Sequence, residues 1–420
     1  MEKKFLKLCS LFGLMILFVA CGSEPQQIEP EATQPPVEPN DSSQQADEAA
    51  PTATVLPTPT TPPTLPPPPT VEVALPTPIP TEPPAEPTEE TGGVPALSGL
   101  VLASPEDFGD NRNPLTGEEV DPARLQRRPL AVKISNSPPQ YVRPQSGLND
   151  ADLVFEHITE GSLTRFTLIV YGDNPEKVGP IRSARLIDVE LPAMYDAALV
   201  FSGASTGVNN KLFSSDFADR ILGAGNIGYY RTGENKPTEH TLYGNPIGLR
   251  EALDSKSENR APTFGKRMSF SSEAPPGGTS ASQISLNYLW ENVTWTYDPA
   301  TNRYYRYAAG VPHNDGNTNQ QVSTTNIIVP FVNHVDDPSI CEEIRNNTCH
   351  LLSVEIQLWG SGNVVIFRDG QRYDGTWKRE ARNDMLTFYD AAGNQIPLQI
   401  GNSWVELMSI WYTDPLQVTP

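Results

Sequence analysis

The stretch "GPIRSARLIDVELP", residues 179 to 192, sets Arg182 and Arg185 three apart around Ser183, directly after a run that reads as a buried strand. Two cations beside an apolar segment need either an anionic ligand or internal carboxylates, because an unpaired charge is costly to remove from water. More charge gathers upstream in "VFEHITEGSLTRF", which carries Glu156, Glu160 and Arg165. The planar fork of arginine can clamp a phosphate or carboxylate through two parallel hydrogen bonds. The glutamates would then hold the arginines in place or coordinate a divalent cation. The competing reading is a salt-bridge network that fixes the loops, in which every charge is paired. We favour an anion site drawn from Arg165, Arg182, Arg185, Glu156, Glu160, Ser183 and Ser205, because two arginines in one turn outnumber what the nearby carboxylates readily satisfy.

Catalytic residues are not assigned. Neither Ser183 nor Ser205 sits in a "GxSxG" nucleophile elbow, although "SGAS" before the second is small and tight. The five histidines, His157, His240, His313, His334 and His350, form no HExxH pair for zinc. Each is expected as a satisfied structural histidine, although His157 and His240 share the region of Ser205. No metal site and no cofactor is expected, apart from a divalent cation if the charged constellation belongs to a phosphate-centred enzyme.

These residues must be positioned by strands and short helices. "RPLAVKISN" (128–136), "ADLVFEHIT" (151–159) and "TRFTLIVYG" (164–172) read as strands, and "DAALVFSGAS" (196–205) adds a short apolar run. Adjacent ends of the second and third strands would make Glu156, Glu160 and Arg165 neighbours. "SARLIDVELPAMYDA" has near-helical spacing that Pro192 must bend or break. "STGVNNKLFSSDF" opens on suitable caps, and "NPIGLREALD" is a further short helix. After "SEAPPGGTSAS" (272–282) the pattern changes to aromatic-rich strands around "DPATN", "RDGQ" and "DAAGN" turns. The fold class expected is mixed α+β: an α/β domain with a mixed sheet over 101–275, then a mostly antiparallel β-rich domain over 283–420. Trp377, Trp404 and Trp411 could form a glycan platform, but core positions are the expectation in a small β domain.

Residues 1–20 have the parts of an export signal, with Lys3, Lys4 and Lys7 ahead of "LCSLFGLMILFVA", an apolar run too short for a permanent span. Cleavage before Cys21 would leave a cysteine for lipid attachment, and "LFVAC" is similar to a bacterial lipoprotein box, with Phe18 where a branched aliphatic is usual. The chain is therefore expected outside the cytoplasm, lipid-anchored to a bacterial membrane. In that oxidising compartment Cys341 and Cys349 are expected as a disulfide. From 22 to 100 the chain has no Lys or Arg, twelve acidic residues and 21 of the 43 prolines. Such a segment (21–100 with Cys21) reads as a disordered stalk, reaching up to roughly 200 Å in polyproline II form. Signal and stalk account for half of the net charge of -21, and the remaining -11 lies in 101–420. That balance argues against nucleic acid and against charge-driven membrane adhesion. The expected partners are the membrane, through the lipid, and a cell-wall glycan or lipid-linked polymer.

The ordered motifs "NPLTGEEV", "RPLAVKISNSPPQYVRPQSGLNDADLVFEHITEGSLTRF", "GPIRSARLIDVELPAMYDA", "FSGAS", "HTLYGNP", "GTWKRE" and "FYDAAGNQIPLQIGNSWVEL" resemble the YerB family of bacterial lipoproteins from about Asn113 to the C-terminus. This resemblance implies a lipoprotein with an α/β N-terminal domain and a β-rich C-terminal domain. It brings no biochemical activity and no catalytic residues. The strand, the "NPEKV" turn and the arginine-bearing loop before "DVELP" are also similar to LytR-CpsA-Psr phosphotransferases over roughly forty residues. That second likeness implies arginines on a polyprenyl pyrophosphate and acidic groups on a metal, in transfer of glycopolymers to the wall. The aspartates expected beside those arginines have no evident counterparts here.

Overall fold

The computed structural model describes residues 98–420. The expected signal of residues 1–20, the lipidated Cys21 and the stalk up to residue 97 lie outside the described residues.

The three strands expected first are present as β1 (Leu130–Ser135), β2 (Leu153–Ile158) and β3 (Thr164–Val170), followed by β4 (Ala198–Phe201) and β5 (Ile221–Gly223). Strand alternation points Leu130, Val132 and Ile134 to one side of β1 and Ala131 and Lys133 to the other, and all of them are buried. A strand buried on both faces needs cover above and below.

One cover is an antiparallel six-stranded sheet containing β6 (Gln283–Asn287), β7 (Asn292–Asp298) and β8 (Arg303–Ala308). Its Ile284, Leu286, Val293 and Trp295 share a core with Val132, Val154, Phe166 and Leu168. On the opposite face Ala131, Leu153, Phe155 and Ile169 meet Ile187, Leu191 and Met194. These last residues come from "SARLIDVELPAMYDA", which forms a 3-10 turn over Leu186–Val189 and one helical turn over Leu191–Met194, with Pro192 inside the second.

The C-terminal half adds β9 (Asn326–Val332), β10 (His334–Arg345), β11 (Thr348–Ile356), β12 (Gly360–Arg368), β13 (Gln371–Arg379) and β14 (Ser403–Glu406). The large twelve-stranded sheet contains the run β13-β12-β9-β14-β2-β3-β1-β4-β5. Strand β14 lies between β9 and β2 and runs parallel to both. The two regions flanking 272–282 therefore share one mixed sheet, and that largely exposed stretch crosses from one half to the other.

Two helices follow their caps. α1 (Thr206–Phe213) begins at Ser205, whose Oγ accepts from the Val208 amide, and α2 (Pro246–Asp254) begins at Asn245, whose Oδ1 accepts from the Ile247 amide. Strands β10 and β11 form a separate hairpin, turned by Asn346 and Asn347, both at positive φ, and joined by the Cys341–Cys349 disulfide. Trp377 and Trp404 are core residues, but Trp411 is 68% exposed.

Candidate functional site

Just beyond the end of β2, Glu160 faces the fork of Arg185. Nε of Arg185 donates to Glu160 Oε2 at 2.6 Å, and its NH2 donates to Oε1. Arg165, at the start of β3, places NH2 3.8 Å from the same Oε1 and donates from NH1 to the Ser183 carbonyl at 2.6 Å. A second carboxylate arrives from the hairpin: Glu342 Oε2 lies 3.5 Å from Arg185 Nε, and its Oε1 accepts from Ser205 Oγ at 3.0 Å. The hairpin can sit this close because α1 carries Gly207, where an added Cβ would stand 2.6 Å from Ile340 Cγ1. Glu160, Arg165, Arg185, Ser183 and Ser205 thus come together, and the protein itself supplies the anion that faces Arg185.

Charge states follow from this pairing. Burial pushes Glu160 up, but the Arg185 hydrogen bond and the two arginine charges outweigh it and hold the carboxyl below its ordinary range. Arg165, deeply buried beside the positive Arg185, is pushed down to about 9.

Arg182 differs from its neighbours. Its amide donates to the Lys133 carbonyl and its carbonyl accepts from the Ser202 amide, so its backbone is wedged between the ends of β1 and β4. Its half-buried side chain makes no ion pair or hydrogen bond among the described residues; Glu239 and Glu160 act on it only through space.

Behind this layer, on the same face of the sheet, Lys133 Nζ donates to Asp188 Oδ1 at 2.8 Å and Thr167 Oγ1 at 3.0 Å. It also lies 2.6 Å from His157 Nε2, so His157 accepts there and its Nδ1 donates to the Ile158 carbonyl. Burial lowers Lys133 to about 8 against the opposing charge of Asp188, and burial with Lys133 keeps His157 neutral.

Glu156 does not belong to this group, which corrects the expectation from sequence. Successive residues of a strand point to opposite faces, and Glu156 shares its face with Val154 and Phe166 rather than with His157 and Arg165. There it accepts from Arg306 NH2 at 2.6 Å and Thr164 Oγ1 at 2.8 Å. Glu406 of β14 stands beside it in register and accepts from Tyr288 OH at 2.7 Å and Trp295 Nε1 at 2.8 Å. Burial, then the Glu156 charge, push Glu406 up to about 8, which favours its neutral form at neutral pH. The Arg306 guanidinium lies 5.0 Å from the Trp404 ring centroid and 5.4 Å from that of Phe166, and its NH1 meets His313 Nδ1.

Sequence reasoning missed Lys133, Asp188, Arg306, Glu342 and Glu406. Lys133 left a signal, because a lone lysine in "LAVKIS" must be paired when that strand is buried. Ser205 donates to Glu342, and neither His157 nor His240 is among its partners. Among the described residues, no group of three or more His, Cys, Asp and Glu is placed to hold a metal ion.

The family model described as "Protein of unknown function (DUF3048) N-terminal domain" matches residues 115–260, and its C-terminal domain counterpart matches residues 284–405. The chain is 29% identical over 313 residues to "Putative lipoprotein YerB" of Bacillus subtilis (strain 168), covering 73% of this chain and 88% of that protein. It also matches the crystal structure of YerB protein from Bacillus subtilis with a TM-score of 0.59 at 25% identity, over 74% of this chain and 99% of that one.

Proposed function

From a chain that belongs to the YerB-like family, with both DUF3048 domains, we propose a lipid-anchored envelope protein that binds an anionic group of a wall or lipid-linked polymer, without chemical turnover. The lipoprotein name of the relative, the signal-like N-terminus and the cysteine at position 21 support the location. One observation carries the binding site: of three arginines gathered at the strand ends, Arg165 and Arg185 face carboxylates, while Arg182 makes no ion pair or hydrogen bond among the described residues. A half-buried guanidinium keeps its fork available for a phosphate or carboxylate. Beside it, at the carboxyl ends of parallel β1 and β4, lie Ser183 and the "SGAS" loop, where ligands of open α/β sheets commonly sit.

The alternative is a phosphate-centred transferase or hydrolase of the LytR-CpsA-Psr kind, with a divalent cation. It would need carboxylates to hold the cation, and Glu160 and Glu342 both face Arg185, which leaves Glu239 as the carboxylate acting on Arg182 outside that pairing. Equilibrium binding of pyrophosphate and of short-chain polyprenyl phosphates to the full chain in detergent, with and without Mg²⁺, tests both readings. Binding that is independent of Mg²⁺ and lost in Arg182→Ala is expected. Turnover, or binding that requires Mg²⁺, would move the account to the alternative, and full binding by Arg182→Ala would remove Arg182 from the site.

A further inference from the structure

Trp411 lies where the chain leaves the large sheet, just after Met408–Ser409 pairs with Phe331 and Val332. Its indole N–H donates to Asn333 Oδ1 at 3.0 Å and to the His334 carbonyl at 3.2 Å, so the exposed ring is tethered by its edge. Beside it opens a cleft of about 420 Å³, walled by the Glu160–Ser162 turn, the hairpin residues His334, Asp336 and His350, and Tyr412. That volume lies within the range of small-molecule sites, about 300–1,000 Å³.

His334 supplies an independent sign of a ligand. It is only 8% exposed, and its Nδ1 lies 2.9 Å from the Val332 carbonyl, which places the proton on that nitrogen. Its buried Nε2 is then an acceptor, and it has no partner among the described residues. Burial holds this imidazole down to about 4, so it stays neutral at physiological pH. A buried acceptor without a donor is a cost that a ligand hydroxyl would remove. The other titratable groups facing the cleft are Glu160, Asp336, His350 and Tyr412; Glu160 is neutralised by Arg185, burial pushes Tyr412 up, and no arginine or lysine lines the walls. The cleft therefore suits a neutral or amino-bearing ligand rather than an anion.

We propose that this cleft is a saccharide subsite, in which the Trp411 ring stacks on the C–H face of a pyranose and His334 Nε2 accepts one of its hydroxyls. Aromatic face, hydroxyl acceptor and carboxylate are the groups that a polyhydroxylated ring with one apolar face requires. The cleft shares the Glu160 turn with the arginine group but holds none of its arginines, and the proposal stands whether or not an anion binds at Arg182.

Calorimetric titration of the full chain in detergent with N-acetylglucosamine oligomers, and separately with maltotetraose, tests the proposal. Saturable binding of at least one of them is expected, weakened about tenfold or more in Trp411→Ala and less in Trp411→Phe. His334→Ala should weaken it as well. Trp411 is exposed, so its variants should unfold at the wild-type midpoint. Failure of both saccharides to bind, or equal binding by Trp411→Ala, would overturn the proposal while leaving the anion reading untouched.

Discussion

The two faces of the central sheet each carry buried charge, but they treat it differently. Toward the six-stranded sheet, the side chains of Arg306 and Glu156 are 0% and 1% exposed and are closed in by Trp295, Trp404 and Phe166. Its second carboxyl, Glu406, is pushed toward the neutral form by burial and by Glu156, which favours one cation against one anion. Toward the hairpin, Arg185 and Glu160 keep 11% and 13% of their side-chain surface, and the third arginine of the group has no partner among the described residues. Buried ion pairs hold when their charges balance, and a surplus cation at an edge is where a ligand can act. On this account the inner group fixes how the two halves join and the outer one is available for binding.

The largest effect should come from the inner face. Arg306→Ala leaves Glu156 buried without its cation and should cost ~3–5 kcal/mol in urea unfolding. A loss below about 1 kcal/mol would mean that the group is not closed. Arg185→Ala should cost less, about 1.5–3 kcal/mol, because its charged hydrogen bonds are partly open to solvent.

Next in size is the pH effect of Glu406. Its ordinary value is 4.5 and its folded value about 8, so between them the folded state holds the extra proton and stability falls as pH rises. His157, His240, His313 and His334, all lowered by burial, act in the opposite direction as pH falls through their ordinary 6.5, and part of that effect persists above it. Relative to Glu406→Gln, in which only this proton is removed, wild type should therefore lose ~2 kcal/mol between about pH 6.5 and 8. Above pH 8 Lys133, lowered to about 8, contributes a rise. The smallest change is expected for Arg182→Ala, within about 0.5 kcal/mol of wild type in the absence of ligand.

What was legible in the sequence was local. The apolar runs "LAVKIS" and "LVFEHI" marked the strands, and Ser205 and Asn245 marked the helix starts. The neighbours of Arg185 within the same stretch of chain, Glu160 and Arg165, were legible too. Glu156 was misplaced because nearness along a strand was weighed without the parity of its faces; shared parity with Val154 would have sent it inward. Pairings across the sheet left no local trace. Glu342 meets Ser205 across 137 residues, Glu156 meets Arg306 across 150, and Glu406 reaches the β2 edge only because β14 inserts there in parallel. Parallel neighbours joined by long connections are fixed by the whole fold, not by a turn.

The most direct test of an open outer group against a closed inner one is thermal unfolding of the full chain in detergent, with and without pyrophosphate, for wild type, Arg182→Ala and Arg306→Ala. The account predicts that ligand at 100 times its Kd stabilises wild type by ~2.7 kcal/mol, that Arg182→Ala unfolds like wild type but gains nothing, and that Arg306→Ala is much less stable yet still gains. An Arg182→Ala protein as destabilised as Arg306→Ala, with no ligand response in wild type, would contradict it and make both groups structural.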